Sequence, residues 1–269
     1  MRTVAAELRV SLIQADTRWH DPAGNQAMYG DLARSAEKSE LIVLPETFLS
    51  GFSNAALDQA QSMQDTNVRW LCDLAVELQS TICGSLLIKD RGQIFNRLIW
   101  AAPGQPPQFY DKRHLFRMAR EHERFGAGRA RLIVELNGWR ICPMVCYDLR
   151  FPVFSRNRFG SDAQESRDYD ALVYVANWPA ARRYAWQTLL RARAIENLSY
   201  CIGVNRTGVD GNTLAYAGDS AALDFQGQVM LECGAEPQII TTVLSFDALR
   251  DYRARFPAYL DADQFELQE

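Results

Sequence analysis

Apolar and β-branched residues gather along this chain in runs of strand length: 8–15 (LRVSLIQA), 41–46 (LIVLPE), 81–88 (TICGSLLI), 94–102 (IFNRLIWAA), 131–136 (RLIVEL), 139–146 (WRICPMVC), 171–178 (ALVYVANW), 200–205 (YCIGVN) and 239–246 (IITTVLSF). Between several of them the period lengthens to that of a helix, most clearly over 22–38, 66–79 and 181–198. The last of these, ARRYAWQTLLRARAIENL, sets apolar residues at helical spacing with arginines on the other face. Helices interleaved with strands over the whole length predict an α/β layered fold. Residues 155–170 (SRNRFGSDAQESRDYD) are polar and glycine-containing, which predicts a helix end followed by an exposed loop. Neither an internal repeat nor a linker-like shift in composition divides the chain, so 1–269 is expected to form one domain.

Composition narrows the class of partner. At 269 residues, 48% hydrophobic and 23% charged, the chain can bury one substantial core. A net charge of -4 and a pI near 5.5 do not supply the basic stripe that nucleic acid or an anionic membrane would require, so a small-molecule partner is expected. The first residues, MRTVAAELRVSLIQAD, return to charge at Glu7 and Arg9 and lack the apolar stretch of a signal peptide. No run reaches the length of a membrane span. Cys72, Cys83, Cys142, Cys146, Cys201 and Cys233 form no CxxC pair and sit mostly in strand-like text, which predicts buried reduced thiols and a cytoplasmic location.

Three strand ends each deliver one reactive group. Cys146 closes the run 139–146, where a buried strand meets a turn and a thiol can be held facing a cleft. An ordinary cysteine, with a pKa of about 8.5, is only slightly ionised at neutral pH and needs a base or a cation to become a nucleophile. Glu46, after the apolar LIVLP, is the candidate base. Lys112, in FYDKRHLF, is one of three lysines among 29 basic residues and offers a compact charge for a developing oxyanion. Taken singly, each has a plainer reading: a small core residue for Cys146, a helix-start acid for Glu46, a solvated charge for Lys112. Together they form a constellation.

Glutamate in an apolar-Pro-Glu stretch, lysine in Lys-Arg-His-Leu-Phe and cysteine in Cys-Tyr-Asp-Leu-Arg-Phe-Pro, in that order and at these separations, resemble the nitrilase superfamily of carbon–nitrogen hydrolases. The similarity runs from about residue 8 to residue 258 and is nearest to the Nit branch, in particular to bacterial ω-amidases acting on 2-oxoglutaramate. This resemblance implies a four-layer α-β-β-α sandwich, a homodimer and hydrolysis of 2-oxoglutaramate to 2-oxoglutarate and ammonia. It implies Glu46 as general base and then acid, Lys112 as oxyanion cation, Cys146 as nucleophile and the Tyr147 N–H as second oxyanion donor. Glu121, in REHERFGAG, takes the place of a second active-site glutamate, with Glu123 as its rival. No metal or organic cofactor is implied. Val153 stands where relatives carry an acid after Arg-Phe-Pro, and the 160–168 loop is longer than in close relatives.

Arg150, four residues after the nucleophile, is the candidate for a substrate carboxylate, since a guanidinium fork matches that group. The alternative is an ion pair with Asp148. Phe48, Asn177 and Trp178 would wall the pocket, with a core role the competing reading for Phe48 and Trp178. The C-terminal stretch from about 247 to 269 either covers a neighbouring subunit or packs on its own core. An N-carbamoyl amide hydrolase or a nitrilase with the same triad is the alternative enzyme, and a binding subunit without turnover the non-enzyme alternative. With three histidines and no HExxH, and with no GxGxxG, metallohydrolase and dinucleotide-binding readings have no motif behind them.

Overall fold

Alternation along the strands decides what each face of each sheet touches. The computed structural model describes residues 3–158, 168–263 and 265–267. In β1 (Glu7–Gln14), Leu8, Val10 and Leu12 lie on one side and Ile13 on the other. In β2 (Leu41–Val43), Leu41 and Val43 oppose Ile42; in β4 (Gln93–Ala101), Leu98 and Trp100 oppose Ile99 and Ala101. The first set packs against Trp139, Ile141 and Val145 of β7 (Trp139–Val145), a second sheet. The opposite set packs against α1 (Pro22–Ser35) and α2 (Thr66–Leu78), where burying Val68, Leu71 and Leu74 contributes about 1.5–3 kcal/mol each. On the far side of the second sheet, α4 (Arg183–Asn197) packs through Trp186, Leu190 and Ala194. A period of two within strands and 3.6 within helices therefore builds the α-β-β-α layering that was expected.

The remaining strands are β3 (Thr81–Asp90), β5 (Gln108–Asp111), β6 (Val134–Leu136), β8 (Ala171–Ala176), β9 (Tyr200–Asn205), β10 (Thr207–Val209), β11 (Ala215–Ala217), β12 (Ala221–Leu223), β13 (Val229–Glu232) and β14 (Gln238–Ser245). They order as β14-β1-β2-β3-β4-β5 and β13-β12-β9-β8-β7-β6, with β10-β11 a separate pair. The strands β1, β2 and β3 run parallel, as do β7, β8 and β9, so their carboxyl ends converge in two clusters. In such sheets the carboxyl ends open onto the crevice where ligands bind.

Two predicted strands end early, each for its own reason. In the 41–46 run the strand closes at Val43; Leu44 N–H still donates to the Cys83 carbonyl at 2.7 Å, and Pro45 after it has no N–H to give. The 171–178 run stops at Ala176, because the Asn177 N–H turns to a Glu46 oxygen. The four strands from Thr207 to Glu232 are only three or four residues long and carry too little periodicity to be read in advance. Of the predicted 155–170 feature, the helix end is α3 (Pro152–Ser155), and residues 159–167 lie outside the described residues. In the C-terminal stretch, α5 (Phe246–Arg255) starts at Ser245, whose hydroxyl accepts from Ala248 N–H. Leu249 and Arg253 are buried against this chain's own core, whereas Phe256 and Leu260 are exposed. Among the described residues no helix is long and apolar enough to cross a membrane.

Candidate active site

Cys146 sits on a backbone that few non-glycine residues adopt. The strand β7 ends at Val145, and Cys146 comes next in the left-handed region with φ 46°, opening a tight helical turn over Cys146–Arg150. Such a conformation costs on the order of 1–3 kcal/mol and persists only where surrounding contacts hold it. Asp148 supplies them. Its fully buried carboxylate accepts from Val145 N–H at 3.1 Å, Tyr110 O–H at 2.8 Å and His114 N–H at 2.9 Å, and meets His114 Nδ1 at 2.8 Å. Tyr110 and His114 flank Lys112, so one carboxylate ties the turn carrying the thiol to the segment carrying the lysine.

Glu46 arrives from the end of β2, and Thr47 after it again takes a left-handed φ of 40°. Its Oε1 accepts from Lys112 Nζ at 2.9 Å and Asn96 Nδ2 at 2.7 Å; its Oε2 accepts from Asn177 N–H at 2.7 Å. Asn177 holds the turn a second time, donating from Nδ2 to the Glu46 carbonyl at 2.6 Å and to Thr47 Oγ1 at 3.1 Å. Lys112 Nζ also lies 3.0 Å from Glu121, whose other contacts are Phe116 N–H at 2.6 Å and Asn96 Nδ2 at 3.4 Å. Glu46, Lys112, Glu121 and Asn96 are all at most 1% exposed. The Cys146 sulfur lies 3.9 Å from the Asn177 carbonyl oxygen.

Burial sets the charge states. It pushes the Cys146 thiol well above the ordinary cysteine range, with the Glu46 carboxylate adding to the effect and Lys112 opposing it. For Lys112, burial alone would favour loss of the proton, but Glu121 and Glu46 outweigh it and hold the ammonium above the ordinary lysine range. Burial raises Glu121 too, against the pull of Lys112 and with a further push from Glu46. The resting cluster is thus a neutral thiol beside a charged ammonium.

All of this opens into a cavity of about 380 Å³. Its wall includes Glu46, Lys112, Cys146, Tyr147, Arg150, Asn177 and Trp178 together with Phe52, Phe116, Arg182, Asp210 and Tyr216. That volume suits a small metabolite. The carbon–nitrogen hydrolase family model matches residues 9–254 of this chain. The chain belongs to that family.

It is a hydrolase of carbon–nitrogen bonds, and its similarity to known members spans nearly the whole length. A CN-hydrolase superfamily protein from Xanthomonas campestris, crystallised with an arsenic adduct in the active site, is 55% identical. The superposition has a TM-score of 0.95 and covers 98% of this chain and 100% of that one. Omega-amidase YafV of Escherichia coli K12 is 45% identical over 97% of this chain and 98% of its own. The 2-oxoglutaramate amidase of Bacillus subtilis is 28% identical over 94% and 96%.

Of the site residues expected in this carbon–nitrogen hydrolase, eight meet at the cavity or its buried floor. Glu121 rather than Glu123 stands beside Lys112; Glu123 pairs with Arg120 at 2.7 Å on the surface. The anticipated alternative for Arg150, an ion pair with Asp148, is not formed, since Asp148 is committed to Val145, Tyr110 and His114. Phe48 is the correction. It is fully buried between the first sheet and its helices, edge-on to Tyr29 at 5.4 Å, and does not line the cavity. The left-handed turn at Thr47 directs the chain away from the cleft, and Phe52 and Phe116 form the aromatic wall instead. Asn96 was missed. It lies in β4, where the only signal was that two polar residues, Asn96 and Arg97, interrupt an apolar run.

Proposed function

We propose that this enzyme is an ω-amidase that converts 2-oxoglutaramate to 2-oxoglutarate and ammonia through a thioester on Cys146. The observation that carries the proposal is one cavity lined by a buried thiol, by Glu46 and Lys112 with Glu121 behind the lysine, and by a guanidinium, Arg150, that meets no carboxylate among the described residues. The names of the relatives from E. coli and B. subtilis point to the same substrate class.

In this reading Glu46 takes the thiol proton as the sulfur bonds to the amide carbon, and the carbonyl electron pair moves to oxygen. An ammonium has three protons; Glu46 and Glu121 engage two at Lys112 Nζ, and the third is free for the oxyanion. The Tyr147 N–H, directly after the nucleophile, is the second donor, each donor contributing about 2.7–4 kcal/mol. Collapse breaks the carbon–nitrogen bond, and Glu46 returns the proton to the leaving ammonia. Glu46 then activates a water that cleaves the thioester and restores the thiol. Arg150 holds the substrate carboxylate, its guanidinium carbon 4.9 Å above the Trp178 ring centre. The proposal takes 1–269 as one catalytic domain, and its cytoplasmic homodimeric form rests on the family resemblance and on six free cysteines.

The test is ammonia release from 2-oxoglutaramate, glutaramate, an N-carbamoyl amine and a simple nitrile, with Cys146→Ala as the blank. Turnover confined to the ω-amides supports the reading. Carbon dioxide released with ammonia would indicate an N-carbamoyl hydrolase, nitrile turnover a nitrilase, and silence on all four a binding subunit.

A further inference from the structure

Most of the guanidinium groups in the interior and around the cavity are committed to acids. Arg97 pairs with Asp111 at 2.7 Å, Arg206 with Asp16 at 2.7 Å and Arg253 with Asp170 at 2.9 Å. Arg183 pairs with Asp219 at 2.6 Å. Its immediate neighbour, Arg182, does not: it turns to the cavity, and among the described residues it meets no carboxylate. Its guanidinium carbon lies 5.3 Å from the centre of the Phe116 ring, and its Nη1 has the Met118 sulfur at 4.0 Å, a weak acceptor.

Arg182 and Arg150 are therefore alike. Both line the cavity that holds Cys146, both stand on an aromatic face, and neither side chain donates to an oxygen among the described residues. One residue organises the pair: the Trp178 ring supports Arg150, and its Nε1–H donates to the Arg182 carbonyl at 2.8 Å. The acids in the cavity wall are engaged elsewhere. Glu46 is held by Lys112, Asn96 and Asn177. Asp210 accepts from the N–H groups of Asn212 at 2.8 Å and Leu214 at 3.0 Å and from Tyr216 O–H at 3.0 Å. Two partly desolvated guanidinium groups without counter-ions form a site for more acceptors than one carboxylate offers.

We infer that Arg182 is a specificity-determining residue, recognising jointly with Arg150 a substrate end that carries a carboxylate and an adjacent carbonyl oxygen, the 2-oxo acid group. A guanidinium fork saturates one carboxylate, and the second fork selects the ketone oxygen beside it. This rests on the ω-amidase reading and goes beyond it, because it predicts preference for 2-oxo-ω-amides over ω-amides lacking the oxo group.

The experiment measures kcat and KM for 2-oxoglutaramate, glutaramate and propionamide in the wild-type enzyme and in Arg182→Ala, Arg182→Lys and Arg150→Ala. Loss of a charge-assisted hydrogen bond raises KM for 2-oxoglutaramate about 10- to 100-fold in Arg182→Ala. The change in kcat is smaller, the preference over glutaramate largely disappears, and propionamide is unaffected. Arg182→Lys restores part of the affinity, through charge without the fork. Arg150→Ala instead weakens both carboxylate-bearing substrates. An equal rise in KM for all three substrates in Arg182→Ala, or no rise, overturns the inference. If the wild-type enzyme shows no preference for ω-amides over propionamide, the ω-amidase reading itself fails. If it shows that preference and Arg182→Ala keeps the discrimination against glutaramate, only the role of Arg182 falls.

Discussion

Asn96 offers the sharpest test of how the buried charges are arranged, because its amide can be replaced without changing its shape. In Asn96→Asp an N–H donor 2.7 Å from Glu46 Oε1 and 3.4 Å from Glu121 Oε1 becomes an acceptor at the same place. An ionised carboxyl roughly 3 Å from Glu46 would be repelled by about 5–6 kcal/mol at an effective dielectric of about 20. The lost hydrogen bond to a charged group adds about 1.5–3 kcal/mol. The new carboxyl escapes this by keeping its proton, since burial and two acidic neighbours all raise its pKa, and in that form it again donates to Glu46. Activity of Asn96→Asp should therefore be nearest to wild type, measured alongside, near pH 6 and fall away from it as the pH rises toward about 9.5 and the carboxyl ionises. Asn96→Ala, which removes the donor without adding charge, should lose about 10- to 100-fold in kcat with no such recovery. Ammonia release in a discontinuous assay avoids a pH-sensitive coupling enzyme, and a thermal melt of each variant separates misfolding from misplacement. A kcat for Asn96→Asp that tracks wild type over the whole range up to about pH 9.5 would refute the idea that a donor at this position holds Glu46.

Two further outcomes are set by the same geometry. Asp148→Asn puts an NH₂ group among donors that now all point at oxygen, so it should destabilise the enzyme by about 2–3 kcal/mol and lower the melting temperature by about 5–10 °C. An unchanged melt would show that the thiol turn does not depend on this carboxylate. Because burial raises the Cys146 thiol, alkylation by iodoacetamide in Glu46→Gln should be slow at neutral pH and keep climbing past pH 9. A rate that levels off below pH 7 would mean a preformed thiolate and would contradict that sign.

Glu46, Lys112 and Cys146 could be named from text alone because each stands directly after an apolar or strand-like run, and a reactive group in that place is anomalous wherever the chain folds. Arg150, Asn177 and Trp178 lay close enough along the chain to Cys146 or to a strand end to be carried with them. Glu121 could be nominated but not separated from Glu123, since both belong to the same helical turn and only burial distinguishes them. Asn96 is 50 positions from the carboxylate it holds, and Arg182 differs from Arg183 only in which way a turn directs it. Phe48 was misplaced because one left-handed residue, Thr47, turns the backbone away from the cleft immediately before it.

Hydrophobic period and strand-end chemistry are local properties, written within a few residues, and from them the α/β class and the three reactive groups were determined by the sequence itself, while the four-layer count came with the family resemblance. Which donors surround Glu46, which acids neutralise which arginines and which aromatics wall the cavity depend on contacts between strands distant in the chain. Those were decided only when two sheets, each buried on both faces, brought their carboxyl ends to one place and the low dielectric there required every charge to find a partner or a substrate.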